Sequence, residues 1–192
     1  ASTRVRLRDD SEVVVRPIRP EDKDALTRAF QRLSEQSRYQ RFMTAVSELS
    51  ESQLRYLTEV DHSDHEALIA FDAATGEGVG VARFIRLEGD PARAEAAVTV
   101  IDEWHGHGLG TALAALLAER AREQGIERFT ALLLASNDQM QDVLDCMKKD
   151  GSIAKLSEKW FGRKPPADGL EVVITPGYGV PGMPGYDPTP HE

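Results

Sequence analysis

Residues 95–111 read Glu95-Ala96-Ala97-Val98-Thr99-Val100-Ile101-Asp102-Glu103-Trp104-His105-Gly106-His107-Gly108-Leu109-Gly110-Thr111. The stretch Glu95–Ile101 is small and β-branched, as a strand requires. Glycines at alternate positions follow. Thr111–Gln124 then sets Leu113, Leu116, Leu117 and Ala121 on one helical face, with charges near its end and Gly125 as the stop. Strand, glycine-rich loop and helix in this order aim bare backbone N–H groups at an anion. Gly106, Gly108 and Gly110 keep side chains out of its approach, and the helix start adds about half a positive charge. The pattern predicts a phosphate or pyrophosphate site. A dinucleotide fingerprint would need its third glycine at Thr111 or Leu113, and a Walker A loop would need a lysine where none occurs between residues 24 and 147.

Working outward, Val13–Arg19 is β-branched and reads as a strand with Pro17 near its end or at a sheet edge. Pro20-Glu21-Asp22 opens a helix carrying Leu26, Ala29, Phe30 and Leu33 at helical spacing. A second helix is predicted over Ser50–Val60, with Ser50 as cap and Gln53 completing a capping box. Ala67–Ala73 and Gly78–Leu87 flank Thr75-Gly76-Glu77-Gly78, a hairpin signature. Beyond the glycine loop and its helix, the apolar run Ile126–Ala135 predicts a strand buried on both faces. Ser136-Asn137-Asp138 then caps a helix over Gln139–Lys149, and residues 152–161 and 170–175 give two last strands. Seven of the ten prolines lie beyond residue 164. The expected organisation is an N-terminal extension over 1–12, one domain over 13–175 and a Pro/Gly-rich tail over 176–192. The fold class is α+β (mixed α/β): a central twisted mixed sheet flanked by helices on both faces.

Composition narrows the function. The 192 residues are 41% apolar and 29% charged, enough for a packed core. Lys and Arg number 23 against 32 Asp and Glu, a net charge of −9 that disfavours nucleic acid as a partner. No uncharged run approaches the ~18 residues of a membrane helix, and Ala1–Asp10 lacks the apolar stretch of a signal peptide. A single cysteine, Cys146, excludes an internal disulfide and a cysteine-based zinc finger. A cytoplasmic domain without membrane or nucleic-acid partners is expected. Asp61-His62-Ser63-Asp64-His65-Glu66 has metal-ligand residue types, but its spacing fits a polar loop entering a strand. No metal is expected there or at His105 and His107.

His105-Gly106-His107-Gly108-Leu109-Gly110 resembles the acetyl-CoA loop of the GNAT acetyltransferase superfamily, Gln/Arg-x-x-Gly-x-Gly/Ala, with His105 standing where Gln or Arg is usual. The element order over roughly Val13 to Ile174 is similar to that superfamily as well. The resemblance implies acetyl-CoA as cosubstrate, with the pantetheine arm on Val98, Thr99 and Val100. The pyrophosphate would rest on the loop from Gly106 through His107, Gly108, Leu109 and Gly110 to Thr111. His105 would assist by charge, and Asn137 matches a position whose side chain often meets the cofactor.

Acetyl transfer to a lysine has one electrostatic obstacle: freeing the amine lone pair at neutral pH costs about 4–5 kcal/mol. A carboxylate near the thioester can take that proton as general base, and partial burial would make it a better acceptor. Glu95 is the candidate, since the superfamily's protein acetyltransferases carry a base glutamate at this strand position. Asp102 and Glu103 sit at the loop shoulder, where capping and solvation suffice. The tyrosine that often serves as general acid is missing: Leu144 or Met147 holds its position, and Cys146 between them is the nearest donor.

Leu33-Ser34-Glu35-Gln36-Ser37-Arg38-Tyr39-Gln40-Arg41-Phe42 is similar to the segment Leu-Ser-x-x-Ser-x-Tyr-x-Arg-Phe of the bacterial Pat-type protein lysine acetyltransferases. That resemblance implies a lysine on a protein acceptor, typically an acyl-CoA synthetase, with Arg38, Tyr39 and Arg41 lining or bracing the acceptor groove. Two alternatives stay open on the residues alone: a small-molecule amine acceptor (an amino sugar, polyamine or antibiotic), and a non-catalytic acetyl-CoA-binding regulatory module.

Overall fold

A computed structural model of the chain describes residues 2–42 and 46–130. Asn137, Cys146, the helix over Gln139–Lys149, the strands over 152–161 and 170–175 and the Pro/Gly-rich tail lie outside them.

Six strands, β1 (Thr3–Arg6), β2 (Glu12–Pro17), β3 (His65–Asp72), β4 (Gly78–Leu87), β5 (Asp90–Val100) and β6 (Arg128–Thr130), form one sheet in chain order. The first four pairings are antiparallel, and β6 joins β5 in parallel, so the sheet is mixed. Four helices cover it: α1 (Lys23–Gln31), α2 (Glu35–Phe42), α3 (Glu51–Thr58) and α4 (Leu109–Glu123). On one face, Leu109, Leu113 and Leu117 of α4 pack with Leu68, Ala82 and Phe84. On the other, Leu26 of α1 and Leu57 of α3 pack with Ala67, Ile69 and Val81. A side chain at Gly80 would stand 3.0 Å from Leu113, so the α4 face needs glycine there for close approach.

Three elements depart from expectation. Residues 3–6, assigned to an extension, form an edge strand in which Val5 pairs with Val13; alternating Arg with apolar residues is what a half-covered strand needs. Residues 35–42 are a helix rather than a connection, because the Ser34 hydroxyl accepts from the Ser37 amide and caps it. Pro20–Asp22 is a tight 3-10 turn, after which α1 starts at Lys23; the buried Asp22 carboxylate takes two Arg16 bonds of 2.8 and 2.6 Å and the Arg19 amide at 2.8 Å instead of staying in the first helical turn. The predicted capping box at Ser50 and Gln53 is present. Of the strand expected over Ile126–Ala135, Arg128–Thr130 is described and exposed.

Candidate active site

The glycine loop leaves β5, passes a 3-10 turn at Asp102–Trp104 and enters α4. Gly106 and Gly108 have φ of +81° and +90°, the left-handed region that L side chains avoid. Gly108 caps α4 without any side-chain hydrogen bond. Among the described residues, no partner occupies the amide of Gly106, His107, Gly108, Leu109, Gly110 or Thr111. A Cβ at Gly106 would meet nothing within 4 Å. Six consecutive free donors at an uncapped helix start suit a pyrophosphate.

The loop's side chains turn elsewhere. Leu109 is fully buried in the core, leaving only its amide for a ligand. Nε2 of His105 donates to the Val100 carbonyl at 2.9 Å and lies 3.9 Å from Asp102. His105, expected to assist a phosphate by charge, thereby holds the loop to the end of β5. His107 bonds Asp9 through Nδ1 and stacks on Trp104, with ring centroids 5.7 Å apart. Sequence reading missed the β1–β2 turn as part of this site. The Arg8 amide donates to the His107 carbonyl at 3.3 Å, and the Arg8 side chain lies where a Gly108 Cβ would come within 3.3 Å of it. Hydrogen bonds from Ser11, with His107, hold the Asp9 carboxyl at about 2.

Asp102 and Glu103 are committed to structure. Asp102 accepts from the Ser37 hydroxyl at 2.6 Å and the Ser34 amide at 3.0 Å, fastening α2 to the loop shoulder. Burial pulls its carboxyl upward, but these hydrogen bonds prevail and hold it below the usual range. Glu103 pairs with Arg32.

Glu95 stands on β5 with Ala97 and Thr99 on one face, opposite Ile85, Arg83 and Val81 of β4. That face closes under α1 and α3, where Leu26, Phe30, Phe42, Leu57, Ala97 and Thr99 help line a pocket of ≈ 500 Å³ including its open mouth. Glu95 is exposed and lies on the same β5 face as Ala97, beyond the residues that line the pocket. Val98 and Val100 point to the opposite face; Val100 lies 3.9 Å from where a Gly110 Cβ would be. The described β5–β6 pairing spans only Arg93–Glu95 against Arg128–Thr130, so the partner side of Val98–Val100 lies outside the described residues.

Two arginines enter the same pocket. Arg41 of α2 lines it, and Arg38, one turn earlier, braces instead: it bonds the Ser47 and Gln31 carbonyls and sits 4.8 Å over the Phe30 ring. Arg83 was not foreseen; its signal was a charge in the middle of the mainly apolar run Gly78–Leu87, whose other arginine, Arg86, stands near the end. It is 5% exposed and donates to the Leu57 carbonyl and to Nε2 of His65, each at 3.1 Å. Arginine only donates, so His65 accepts through Nε2 as the neutral tautomer. Burial, then the Arg83 charge, pushes its imidazole down to about 4. The polar stretch before β3 is likewise structural. Asp61 accepts the Ser63 and His65 amides, and fully buried Glu66 takes Arg120 at 2.9 Å and His62 at 2.7 Å.

Residues 12–147 match the family described as Acetyltransferase (GNAT) domain. The chain belongs to the GNAT acetyltransferase family. It is 32% identical over 141 residues to Acetyltransferase Pat of Mycolicibacterium smegmatis, covering 73% of this chain and 42% of that protein. It is 31% identical over 139 residues to Acetyltransferase PA5475 of Pseudomonas aeruginosa, covering 71% of this chain and 74% of that one. The crystal structure of the GNAT domain of S. lividans PAT superposes with a TM-score of 0.70 at 34% identity, over 74% of this chain and 84% of that one. The chain thus spans under half the length of the mycobacterial relative. The GNAT assignment makes this an acetyl-CoA-dependent N-acetyltransferase domain, and the free amides of Gly106–Thr111 fit the cosubstrate's pyrophosphate. Among the described residues, no helix is long and apolar enough to cross a membrane.

Proposed function

We propose that the chain moves acetyl from acetyl-CoA to a lysine ε-amine of a protein acceptor, with Glu95 as general base. The observation carrying this reading is the position of Glu95: exposed, on the β5 face whose Ala97 and Thr99 line an open pocket, and on the strand that leads into the loop of free amides. Likeness to proteins named Pat supports the protein acceptor.

The loop amides from Gly106 to Thr111 would hold the pyrophosphate, the backbone of Val98, Thr99 and Val100 the pantetheine arm, and Asn137 a further polar contact. When bound, acetyl-CoA supplies the acetyl group already activated as a thioester. Glu95 receives the proton of the acceptor ammonium, directly or through one water, and releases the amine lone pair for attack. An exposed carboxylate exchanges that proton with solvent readily, so it is ready for the next acceptor. Asp102 and Glu103 are held by Ser34, Ser37 and Arg32, and neither faces the pocket as a free acceptor.

Thiol release from acetyl-CoA tests the reading with four acceptor classes: an acyl-CoA synthetase, histone-like basic proteins, polyamines and aminoglycosides. Turnover confined to one lysine of a protein, and lost in Glu95→Gln, is expected. Turnover only with small amines would replace the protein acceptor, and tight acetyl-CoA binding without turnover on any of them would favour a regulatory module.

A further inference from the structure

Arg41 and Arg83 are an unusual pair to find in a pocket otherwise lined by Leu26, Ala29, Phe30, Leu33 and Leu57. Buried charges are ordinarily paired, since an uncompensated ion in a protein interior is costly. The other buried charges among the described residues follow the rule: Asp22 meets Arg16, and Glu66 meets Arg120. Among the described residues, neither Arg41 nor Arg83 forms an ion pair with any carboxylate. The partners of Arg83 are a carbonyl and a neutral imidazole, and neither balances charge. Burial, and then repulsion from Arg41, draws the Arg83 guanidinium down to about 9. Burial also lowers Arg41, with Glu95 the first group opposing it. Among the described residues, two positive groups and one carboxylate thus share this face, an excess of one positive charge next to the base.

An acceptor bringing only an ammonium would be drawn to Glu95 and repelled by the two guanidiniums. One that also carries a carboxylate would match all three. Arg83 lies opposite Ala97, one diagonal step from Glu95 across the β4–β5 ladder, about 7–8 Å between backbones. That step is within reach of neighbouring side chains on one peptide.

We infer that Arg41 and Arg83 form an anion subsite for a carboxylate beside the acceptor amine, an Asp or Glu next to the target lysine. The inference rests on the protein-acceptor reading for its choice of polypeptide, and the anion subsite itself is tested independently of turnover. Substrate selection here runs against the overall charge: the surface is acidic, but the pocket asks for an acidic neighbour.

Two measurements test it. In the first, single-lysine peptides identical except for Glu or Gln beside the lysine are compared by kcat/KM. The Glu peptide should be favoured at least tenfold by the wild-type chain and by no more than about twofold by Arg41→Gln, with the Tm of that variant unchanged. Equal use of the two peptides by the wild type overturns the inference while leaving protein acetylation in place. The second needs no acceptor: N-acetylglutamate and N-acetylglutamine are titrated at constant ionic strength and followed by the side-chain NMR signals of arginine. Stronger binding of the acid, lost in Arg41→Gln and retained in Arg83→Lys, supports the subsite. Equal binding of acid and amide overturns it. If no peptide is acetylated but the acid binds selectively, the protein acceptor fails and the anion subsite stands. Arg83→Lys keeps the charge, so the result does not hinge on the folding of Arg83→Gln.

Discussion

The two ends of β5 build their sites from different materials. At its C-terminal end, the loop Gly106–Thr111 offers backbone amides, while its side chains serve the fold: Leu109 in the core, His105 on Val100, His107 on Asp9. Toward its middle, the pocket is made of side chains from five elements: Leu26 on α1, Arg41 on α2, Leu57 on α3, Arg83 on β4 and Ala97 on β5, with Glu95 on the same β5 face. A backbone site tolerates almost any side chain that leaves φ and the approach alone. A side-chain site depends on register, because a slip of one residue would turn Glu95 and Arg83 to the α4 face.

That contrast can be broken most sharply at Glu95. Glu95→Gln keeps size and loses the base, so turnover should fall about 10²–10⁴-fold while acetyl-CoA affinity by calorimetry stays near that of the wild type. A loss below threefold would remove Glu95 from the mechanism and leave the pocket half without its centre. Arg120→Met takes the arginine from Oε2 of buried Glu66 and leaves the carboxylate with His62 and the Ala67 amide on Oε1. The Arg120 side chain is 35% exposed, so a cost of about 2–3 kcal/mol in chemical denaturation is expected, with kcat per folded molecule unchanged. A fall in kcat instead would show that the α4 face takes part in the pocket's chemistry.

Gly108→Ala probes the backbone half. At φ +90° and with Arg8 3.3 Å from the new methyl, strain of about 1–3 kcal/mol should weaken acetyl-CoA binding roughly tenfold or more. Gly106→Ala, which meets nothing, should lose less. Equal losses would mean that the packing of Arg8 on the loop is irrelevant. The last effect is that of pH on His65, read in stability and not in turnover. Its folded-state value of about 4 lies below the ordinary 6.5, so the neutral imidazole is favoured by the fold. Its contribution is therefore complete above about pH 6.5 and is lost as pH falls toward 4, with a slope approaching one proton. Urea denaturation across that window should show this slope, and His65→Asn should remove it. An unchanged slope in that variant would assign the titration to another group.

Glycine spacing, the Gly125 stop and the capping box at Ser50 are local signals, each carried by a residue's own conformational freedom or its reach to an amide three positions away. They were legible for that reason, as was the alternation that sets Glu95 with Ala97 and Thr99. Residues 3–6 and 35–42 were misjudged because a short strand and a short helix draw their stability from partners outside the segment itself. Those partners are Val13 for the first and Asp102 for the second. Arg83 illustrates the same limit: one charge in an apolar run is visible, but its lack of a carboxylate is a fact about neighbours from other elements.

By itself, then, the amino-acid sequence determined the strand–loop–helix that presents free amides, the face on which Glu95 lies, and the run of elements from β3 to α4. All of these follow from φ preferences and from periods of two and 3.6 residues. Only the tertiary structure decided that the β1–β2 turn packs on the glycine loop, that Asp102 fastens α2 to the loop shoulder, and that Arg41 and Arg83 line one pocket on the Glu95 face without an ion pair among the described residues. Those outcomes depend on register and helix docking, where burial of apolar surface sets the geometry and the charges must follow.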